Sequence, residues 1–119
     1  AVAKGGVVPA TLLHQAFPDA HFETIHVTSY SNDFIPRSPR ITGKTPHTPH
    51  WSQTLIVDDI LESGATTSFL KGIYPAATYA YMVCRTWNAE DCLYRGLIYD
   101  KGWITFPWER KLEVTEIPF

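Results

Sequence analysis

The 119-residue sequence lacks the two features that would place a chain at a membrane or on nucleic acid. Its apolar runs are only a few residues long, whereas a transmembrane helix needs about 20 predominantly apolar residues. Positive charge is not in excess, because 10 Lys and Arg residues stand against 12 Asp and Glu residues, for a formal net charge of −2. Nucleic acids and anionic membranes are bound through clustered positive charge, so neither is predicted to be a partner.

Cysteine is also scarce. Cys84 and Cys92 are the two cysteines of the chain, and their spacing matches no common zinc or redox motif. A disulfide is an open alternative, but reduced, partly buried thiols in a cytoplasmic domain are the favoured interpretation. The sequence has neither a Met at position 1 nor a signal-peptide pattern, so we expect that residues upstream of Ala1 are missing.

The residues that are present suffice for one folded domain, with 45% hydrophobic and 18% charged residues. Short apolar segments rich in β-formers alternate with helical patterns, and Gly, Pro, Asn or Asp mark the joins. This alternation predicts a single α/β domain over residues 1–119, with a central, mostly parallel sheet flanked by helices. The predicted strands are 1–3, 22–28, 53–57, 78–84 and 97–99, and the predicted helices are 8–17 and 66–73.

Residues 29–52 are the longest segment without sustained periodicity, and they contain four prolines. Connections inside a compact domain are usually about 4–6 residues long, so a loop of this length calls for an explanation. Two interpretations are open at this point. The segment is either a lid or binding element, or a disordered insertion.

The sharpest local pattern is LIVDDILESGATT, residues 55–67. An apolar strand ends in Asp58 and Asp59, and a turn of small residues then leads into a helix. Ligands of open α/β sheets bind beyond the carboxyl ends of the strands, and a helix N-terminus offers unpaired N–H groups and a positive dipole end to a phosphate. The two aspartates can hold sugar hydroxyls or a Mg²⁺ ion bound to a polyphosphate. The turn and the first helical residues add the hydroxyl groups of Ser63, Thr66 and Thr67.

This segment resembles the signature with which type I phosphoribosyltransferases bind 5-phosphoribosyl 1-pyrophosphate (PRPP). AVAKGGVVPATLL at the start, VTSYSND before the long loop and GWITFPWE near the end resemble the bacterial xanthine-guanine phosphoribosyltransferases in order and spacing. The resemblance covers nearly the whole chain. It implies the type I phosphoribosyltransferase fold, a homo-oligomer, and Mg²⁺-dependent transfer of the phosphoribosyl group to a 6-oxopurine (guanine, xanthine or hypoxanthine) in purine salvage. It also implies a helix and the start of the first strand before Ala1.

The resemblance assigns the phosphate side of the site residue by residue. Lys4 and Gly5 match the pyrophosphate-binding turn, where the family usually has Arg-Gly, and Lys4 keeps the charge without the bidentate fork. Asp58 and Asp59 match the acids that contact the ribose hydroxyls directly or through Mg²⁺. The start of the flexible loop that closes over PRPP corresponds to Ser29 and Tyr30. This match favours the interpretation of residues 29–52 as a lid. The cradle of the 5′-phosphate corresponds to Ser63, Gly64, Ala65 and Thr66.

The resemblance also assigns the base side. Glu62 falls where the family usually has an Asp close to purine N7, and it is the candidate general acid or base beside the catalytic carboxylates Asp58 and Asp59. Arg85 stands in the place of a Lys that reads the purine 6-oxo group, with a different donor geometry. The pair that stacks on the purine and binds its edge corresponds to Trp103 and Ile104, within a base-binding hood over residues 85–119. Glu109 matches an acid near the metal, so the predicted metal ligands are Asp58, Asp59 and Glu109.

Two other functions are open alternatives. A PRPP-binding regulator on the same fold would need a basic face if it binds nucleic acid, and ten cations with a net charge of −2 disfavour one. A receiver-like domain whose strand-end acids bind Mg²⁺ explains Asp58 and Asp59 but not the Ser-Gly-Ala-Thr turn. A phosphoribosyltransferase for another acceptor is a further alternative, because residue identities alone do not determine the base.

Overall fold

Two three-stranded sheets carry the fold of the computed structural model, which describes residues 1–30, 36–47, 50–92 and 94–109. The first sheet contains β1 (Val2–Ala3), β2 (Ile25–Tyr30) and β3 (Pro36–Thr42), with β1 and β2 parallel and β3 antiparallel to β2. The second contains β4 (Leu55–Leu61), β5 (Thr78–Cys84) and β6 (Tyr94–Ile98), all parallel. The two sheets meet where β1 contacts β4.

Each sheet has one α-helix directly after its first strand. Helix α1 (Val7–Ala16) begins after a turn at residues 4–6 and packs against β4, and Pro9 occupies its first turn, where no N–H is needed. Helix α2 (Ala65–Ile73) follows β4 and contacts β3. A hydrogen bond between the Thr67 and Tyr81 hydroxyls also ties α2 to β5. Within the described part of the chain, no helix has the length and apolar character needed to cross a membrane.

The main core lies between the sheets and α2. Its buried members come from both sheets, from α2 and from the segment after β5; they are Val2, Ile25, Ile56, Leu61, Leu70, Tyr79, Tyr81, Cys84 and Cys92. Three short 3₁₀ turns complete the described fold, at Trp51–Gln53, Thr86–Asp91 and Pro107–Glu109.

The predicted strand at 78–84 is confirmed, and both predicted helices are confirmed to within one residue at each end. The strand predicted at 53–57 differs, because β4 starts at Leu55 and continues to Leu61. Its ladder with β5 runs past the acids and pairs Asp58 with Tyr81 and Leu61 with Cys84. The two aspartates are therefore held by the sheet itself rather than by the loop after it.

The prediction of an irregular segment over residues 29–52 is wrong for two parts of it. Ser29 and Tyr30 close β2, and residues 36–42 form β3. Proline lacks a backbone donor and is tolerated on the edge strand of a sheet, and β3, with Pro36 and Pro39, is such a strand. The lid assigned to residues 29–52 stays a prediction. Residues 31–35 and 48–49 of that segment, and residues 93 and 110–119 of the predicted hood, lie outside the described residues.

Candidate active site

The acid pair predicted from the sequence lies in the second half of β4. Each aspartate accepts a hydrogen bond from the backbone of the residue after it: Asp59 N donates to Asp58 Oδ1 at 2.8 Å, and Ile60 N donates to Asp59 Oδ1 at 2.7 Å. These bonds fix the orientation of both carboxylates against the strand. The sheet therefore presents two adjacent, pre-oriented oxygen ligands.

The electrostatics of this pair are unfavourable for two negative charges. Burial and then the neighbouring charge of Asp59 raise the pKa of Asp58 to about 7. A divalent cation beside the two carboxylates would offset both effects, and carboxylate oxygens are the ligands that Mg²⁺ prefers. The donor set thus fits a Mg²⁺ ion.

The turn between β1 and α1 lies directly against the acid pair. A Cβ atom on Gly5 would come within 2.4 Å of Asp59 Oδ2, and one on Gly6 would come within 2.3 Å of the Val57 carbonyl oxygen. Only glycine permits this approach, since real Cβ atoms do not come so close to other heavy atoms. The peptide bond between Ala3 and Lys4 is cis, and the Lys4 side chain is exposed. The structure thus brings the predicted pyrophosphate turn and the predicted acids together.

The predicted phosphate cradle forms the start of α2. Gly64 adopts a left-handed conformation with φ of +80°, which favours glycine, and the helix begins at the next residue. Ser63 Oγ accepts a weak hydrogen bond from Ala65 N at 3.3 Å, and no acidic side chain occupies the first turn. The first N–H groups of the helix therefore face a turn of small residues. The role predicted for the Thr67 hydroxyl, a donor to phosphate, is not available to it. This hydroxyl is buried and hydrogen-bonded to the Tyr81 hydroxyl.

Glu62 and Arg85 form an ion pair that the sequence analysis did not predict. Arg85 Nη2 lies 2.8 Å from Glu62 Oε1, and the Arg85 side chain is 4% exposed. Asn88 lies beside this pair and donates from Nδ2 to the carbonyl oxygens of Leu61 and Glu62. The two residues are far apart in the chain, so no local pattern could have indicated the contact.

Two tryptophans lie on segments that contact the ion pair. Trp103 is 84% exposed, Ile104 is half-buried, and both follow the turn at Gly102, whose carbonyl oxygen accepts from Arg85. Trp87 is 69% exposed, donates from Nε1 to the Glu62 carbonyl oxygen at 3.3 Å, and lies with its ring centroid 5.9 Å from the Arg85 guanidinium carbon. The contact of Trp87 with Glu62 joins residues 25 positions apart in the chain, so no local motif indicates it.

No described contact joins three other predicted site residues, Ser29, Tyr30 and Glu109, to Asp58 or Asp59. Glu109 is exposed at the end of the last 3₁₀ turn, and the described residues contain no cluster of three or more His, Cys, Asp or Glu side chains that could hold a metal. Ser29 and Tyr30 lie at the end of β2. The roles predicted for these residues stay predictions.

The described part of the fold also has a cavity away from the acid pair. A largely apolar cavity of about 540 Å³ is lined by α1, by residues 20–23 and by the first half of β4. None of the predicted site residues lines it. The predicted site and this cavity are therefore separate features of the fold.

Comparison with known proteins agrees with this geometry. A curated xanthine-guanine phosphoribosyltransferase from Vibrio atlanticus is 31% identical over 123 residues, which cover 98% of this chain and 74% of the relative. The chain belongs to the xanthine-guanine phosphoribosyltransferase family. The family and the fold class predicted from the sequence are thereby confirmed.

Solved structures of related proteins have the same fold as this family member. A purine phosphoribosyltransferase from Pyrococcus horikoshii superimposes with a TM-score of 0.66 at 25% identity, covering 95% of this chain and 76% of that chain. A xanthine-guanine-hypoxanthine phosphoribosyltransferase from Helicobacter pylori superimposes with a TM-score of 0.63 at 22% identity, covering 91% of this chain and 73% of that chain. No protein-family model matches the chain.

Proposed function

We propose that this family member transfers the 5-phosphoribosyl group of PRPP to a 6-oxopurine (guanine, xanthine or hypoxanthine) and releases pyrophosphate, as a step of purine salvage. The observation that carries the proposal is that three elements lie together where the two sheets meet. These are the acid pair Asp58 and Asp59, the glycine turn at residues 4–6 and the small-residue turn that opens α2. Family membership supports the same reaction.

The phosphate groups of PRPP would lie on the two turns. Ser63, Gly64, Ala65 and Thr66 surround the first N–H groups of α2, which suit the 5′-phosphate. Gly5 lies beside Asp59 and the preceding Lys4 is exposed, so the turn offers a close backbone approach and a positive side chain to the pyrophosphate. The ribose then spans the gap between the turns, with its hydroxyls on the acid pair.

The reaction breaks the bond between ribose C1 and pyrophosphate, and a purine nitrogen forms the new bond. Carboxylates beside the ribose stabilise the positive charge that develops on the sugar, and Lys4 stabilises the negative charge on the leaving group. Glu62 is the proposed general acid or base for the purine, and Trp103 with Ile104 the proposed binding surface for its ring. Ser29 and Tyr30 would begin the lid over residues 29–52, which excludes water from PRPP.

Asp58 and Asp59 would hold a Mg²⁺ ion, with Glu109 as the third proposed protein ligand. The fit rests on two adjacent carboxylates that the backbone orients, and burial followed by the charge of Asp59 raises the pKa of Asp58 to about 7. Mg²⁺ commonly binds proteins through one or two carboxylates plus substrate phosphates, which matches an acid pair facing the PRPP site. When bound, it supplies charge neutralisation of the leaving pyrophosphate.

The proposed setting is the cytoplasm, with the chain in a homo-oligomer. Cys84 and Cys92 are buried free cysteines, and free thiols are typical of proteins in a reducing compartment. The family resemblance supports the oligomer, and sedimentation of the purified chain measures it directly.

The test is nucleotide formation from PRPP and Mg²⁺, with guanine, xanthine, hypoxanthine and adenine assayed in parallel for pyrophosphate release and product. We expect turnover with one or more 6-oxopurines and none with adenine, and at least about tenfold losses of kcat/KM in Asp59→Asn and Glu62→Gln. Full activity in either variant would remove that residue from the mechanism. PRPP binding without turnover of any base would replace the proposal with a PRPP-binding regulator or another acceptor.

A further inference from the structure

The Arg85 side chain is buried and uses both ends of its guanidinium fork on the protein. Nη1 donates to the Tyr99 carbonyl oxygen at 2.9 Å, and Nη2 contacts Glu62 Oε1 at 2.8 Å and the Gly102 carbonyl oxygen at 2.7 Å. The remaining nitrogen, Nε, is buried and has no hydrogen-bond partner among the described residues. A group with 4% exposure and these contacts has little surface left for a ligand.

The partners of Arg85 come from two separate parts of the site. Glu62 belongs to the turn between β4 and α2, whereas Tyr99 and Gly102 belong to the turn after β6 that precedes Trp103. Arg85 therefore connects the proposed acid to the segment that carries the proposed purine-stacking residue. The Glu62 side chain itself is 47% exposed, so its carboxylate stays accessible while Arg85 holds it.

Asn88 completes the connection through the backbone. Its Nδ2 donates to the Leu61 and Glu62 carbonyl oxygens at 3.1 and 2.7 Å, and its Oδ1 accepts from Arg85 N at 3.0 Å. The loop after β5 thus holds Glu62 by both its side chain and its main chain. These hydrogen bonds from one loop to both the side chain and the main chain of Glu62 restrict the orientation of its carboxylate.

We propose that Arg85 is a positioning residue, which orients the Glu62 carboxylate and the 99–102 turn for the purine without contacting the purine itself. This inference rests on the proposed function and replaces the role of 6-oxo reader that the resemblance implies for Arg85. Glu62 and Arg85 then act as one unit. Lysine cannot substitute for this arginine, because a single ammonium nitrogen cannot serve acceptors that lie on two different nitrogens of the fork.

The test compares two purines in Arg85→Lys and Arg85→Gln. Guanine has the 6-oxo group, and the fluorescent 2-aminopurine lacks it. A positioning role predicts that each variant lowers the affinity for guanine and for 2-aminopurine by the same factor, at least about tenfold. The reason is that each substitution removes charge-assisted hydrogen bonds of Arg85. It also predicts an unchanged dissociation constant for PRPP. Lys71→Gln is the control, because Lys71 lies in the last turn of α2, over the Tyr79 ring and outside the proposed site.

Two outcomes would overturn the proposal. One is a loss of guanine affinity in Arg85→Lys or Arg85→Gln with 2-aminopurine unaffected, which would show direct contact with the 6-oxo group. The other is unchanged binding of both purines and unchanged turnover of guanine in the two variants.

A second measurement does not depend on catalysis. The free energies of unfolding of Glu62→Gln, Arg85→Gln and the double variant form a cycle, and we expect a non-additive result because the pair is in direct contact. Additive values would overturn the pairing even if the wild-type chain turned over no purine. An inactive wild-type chain with a non-additive cycle would instead overturn the proposed function and leave the pair in place.

Discussion

At the scale of single residues, Asp58 is a carboxyl group whose surroundings disfavour its charged form. Its pKa of about 7 in the folded chain lies above the ordinary value of 3.8, because burial and the charge of Asp59 oppose ionisation. The folded state therefore holds a proton that the unfolded state releases between about pH 4 and pH 7. The stability contributed by this group is fully present below about pH 4 and is lost as the pH rises through about 7.

Asp58→Asn should remove this pH dependence. Without Mg²⁺, we expect the wild-type chain to lose up to about 4 kcal/mol of unfolding free energy between pH 4 and pH 8 through this group, and the variant to lose less. Urea unfolding at both pH values measures the difference, with Asp19→Asn, at an exposed position after α1, as the control. Equal pH dependence in wild type and Asp58→Asn would contradict the raised pKa.

Gly5→Ala should damage the site while sparing the fold. The new Cβ would lie 2.4 Å from Asp59 Oδ2, and the flexible end of that side chain can move away. Moving it breaks the bond from Ile60 N to Asp59 Oδ1, so the carboxylate loses its orientation. We expect kcat/KM to fall at least about tenfold, with about 1 kcal/mol or less lost in unfolding free energy. A folded variant with wild-type kcat/KM would show that the orientation of Asp59 is unimportant.

At the scale of elements, the contact between the β1–α1 turn and β4 depends on Gly6. A Cβ there would meet only backbone atoms, the Val57 carbonyl oxygen at 2.3 Å and both Asp58 Cα and the Val2 carbonyl oxygen at 2.9 Å. Backbone atoms cannot rotate away as a side chain does, so Gly6→Ala must separate β1 from β4. We expect a loss of about 1–3 kcal/mol in unfolding free energy, measured by urea denaturation.

Gly72→Ala is the matched control for that prediction. Gly72 lies in α2, and a Cβ there meets no atom within 4 Å. Alanine favours the helix over glycine by up to about 1 kcal/mol, so this variant should gain stability. If both glycine variants changed stability in the same direction, the close approach of β1 and β4 would not be the cause.

The elements themselves were predictable to different degrees. The helix after Gly64 and the strand at 78–84 follow from consecutive residues, because periodicity and turn residues act locally. β3 escaped prediction because its two prolines signal a loop in isolation, and only its place at the edge of a sheet makes them acceptable. The end of β4 was misplaced for a similar reason, because pairing with β5 outweighs the local cost of two charged residues in a strand.

At the scale of the whole molecule, the core encloses both thiols. Cys84 and Cys92 are 0% exposed, and burial followed by the neighbouring Cys84 thiol raises the pKa of Cys92 to about 11. The thiolate is the reactive form, so the native chain should resist thiol reagents. We expect no reaction with Ellman's reagent at neutral pH in the native state and two equivalents after denaturation. Rapid modification of either thiol in the native chain would show that the core opens.

The sequence by itself determined which chemical groups the site contains. The acid pair, the glycine turn and the small-residue turn before α2 are each runs of consecutive residues, so their composition and order were sufficient to identify the family. The tertiary structure decided what these groups touch. Gly5 meets Asp59, and Arg85 meets Glu62 across 23 residues of sequence, because parallel strands bring distant turns to one edge. No local sequence pattern predicts such a contact, and the proposed role of Arg85 rests on its contact with Glu62.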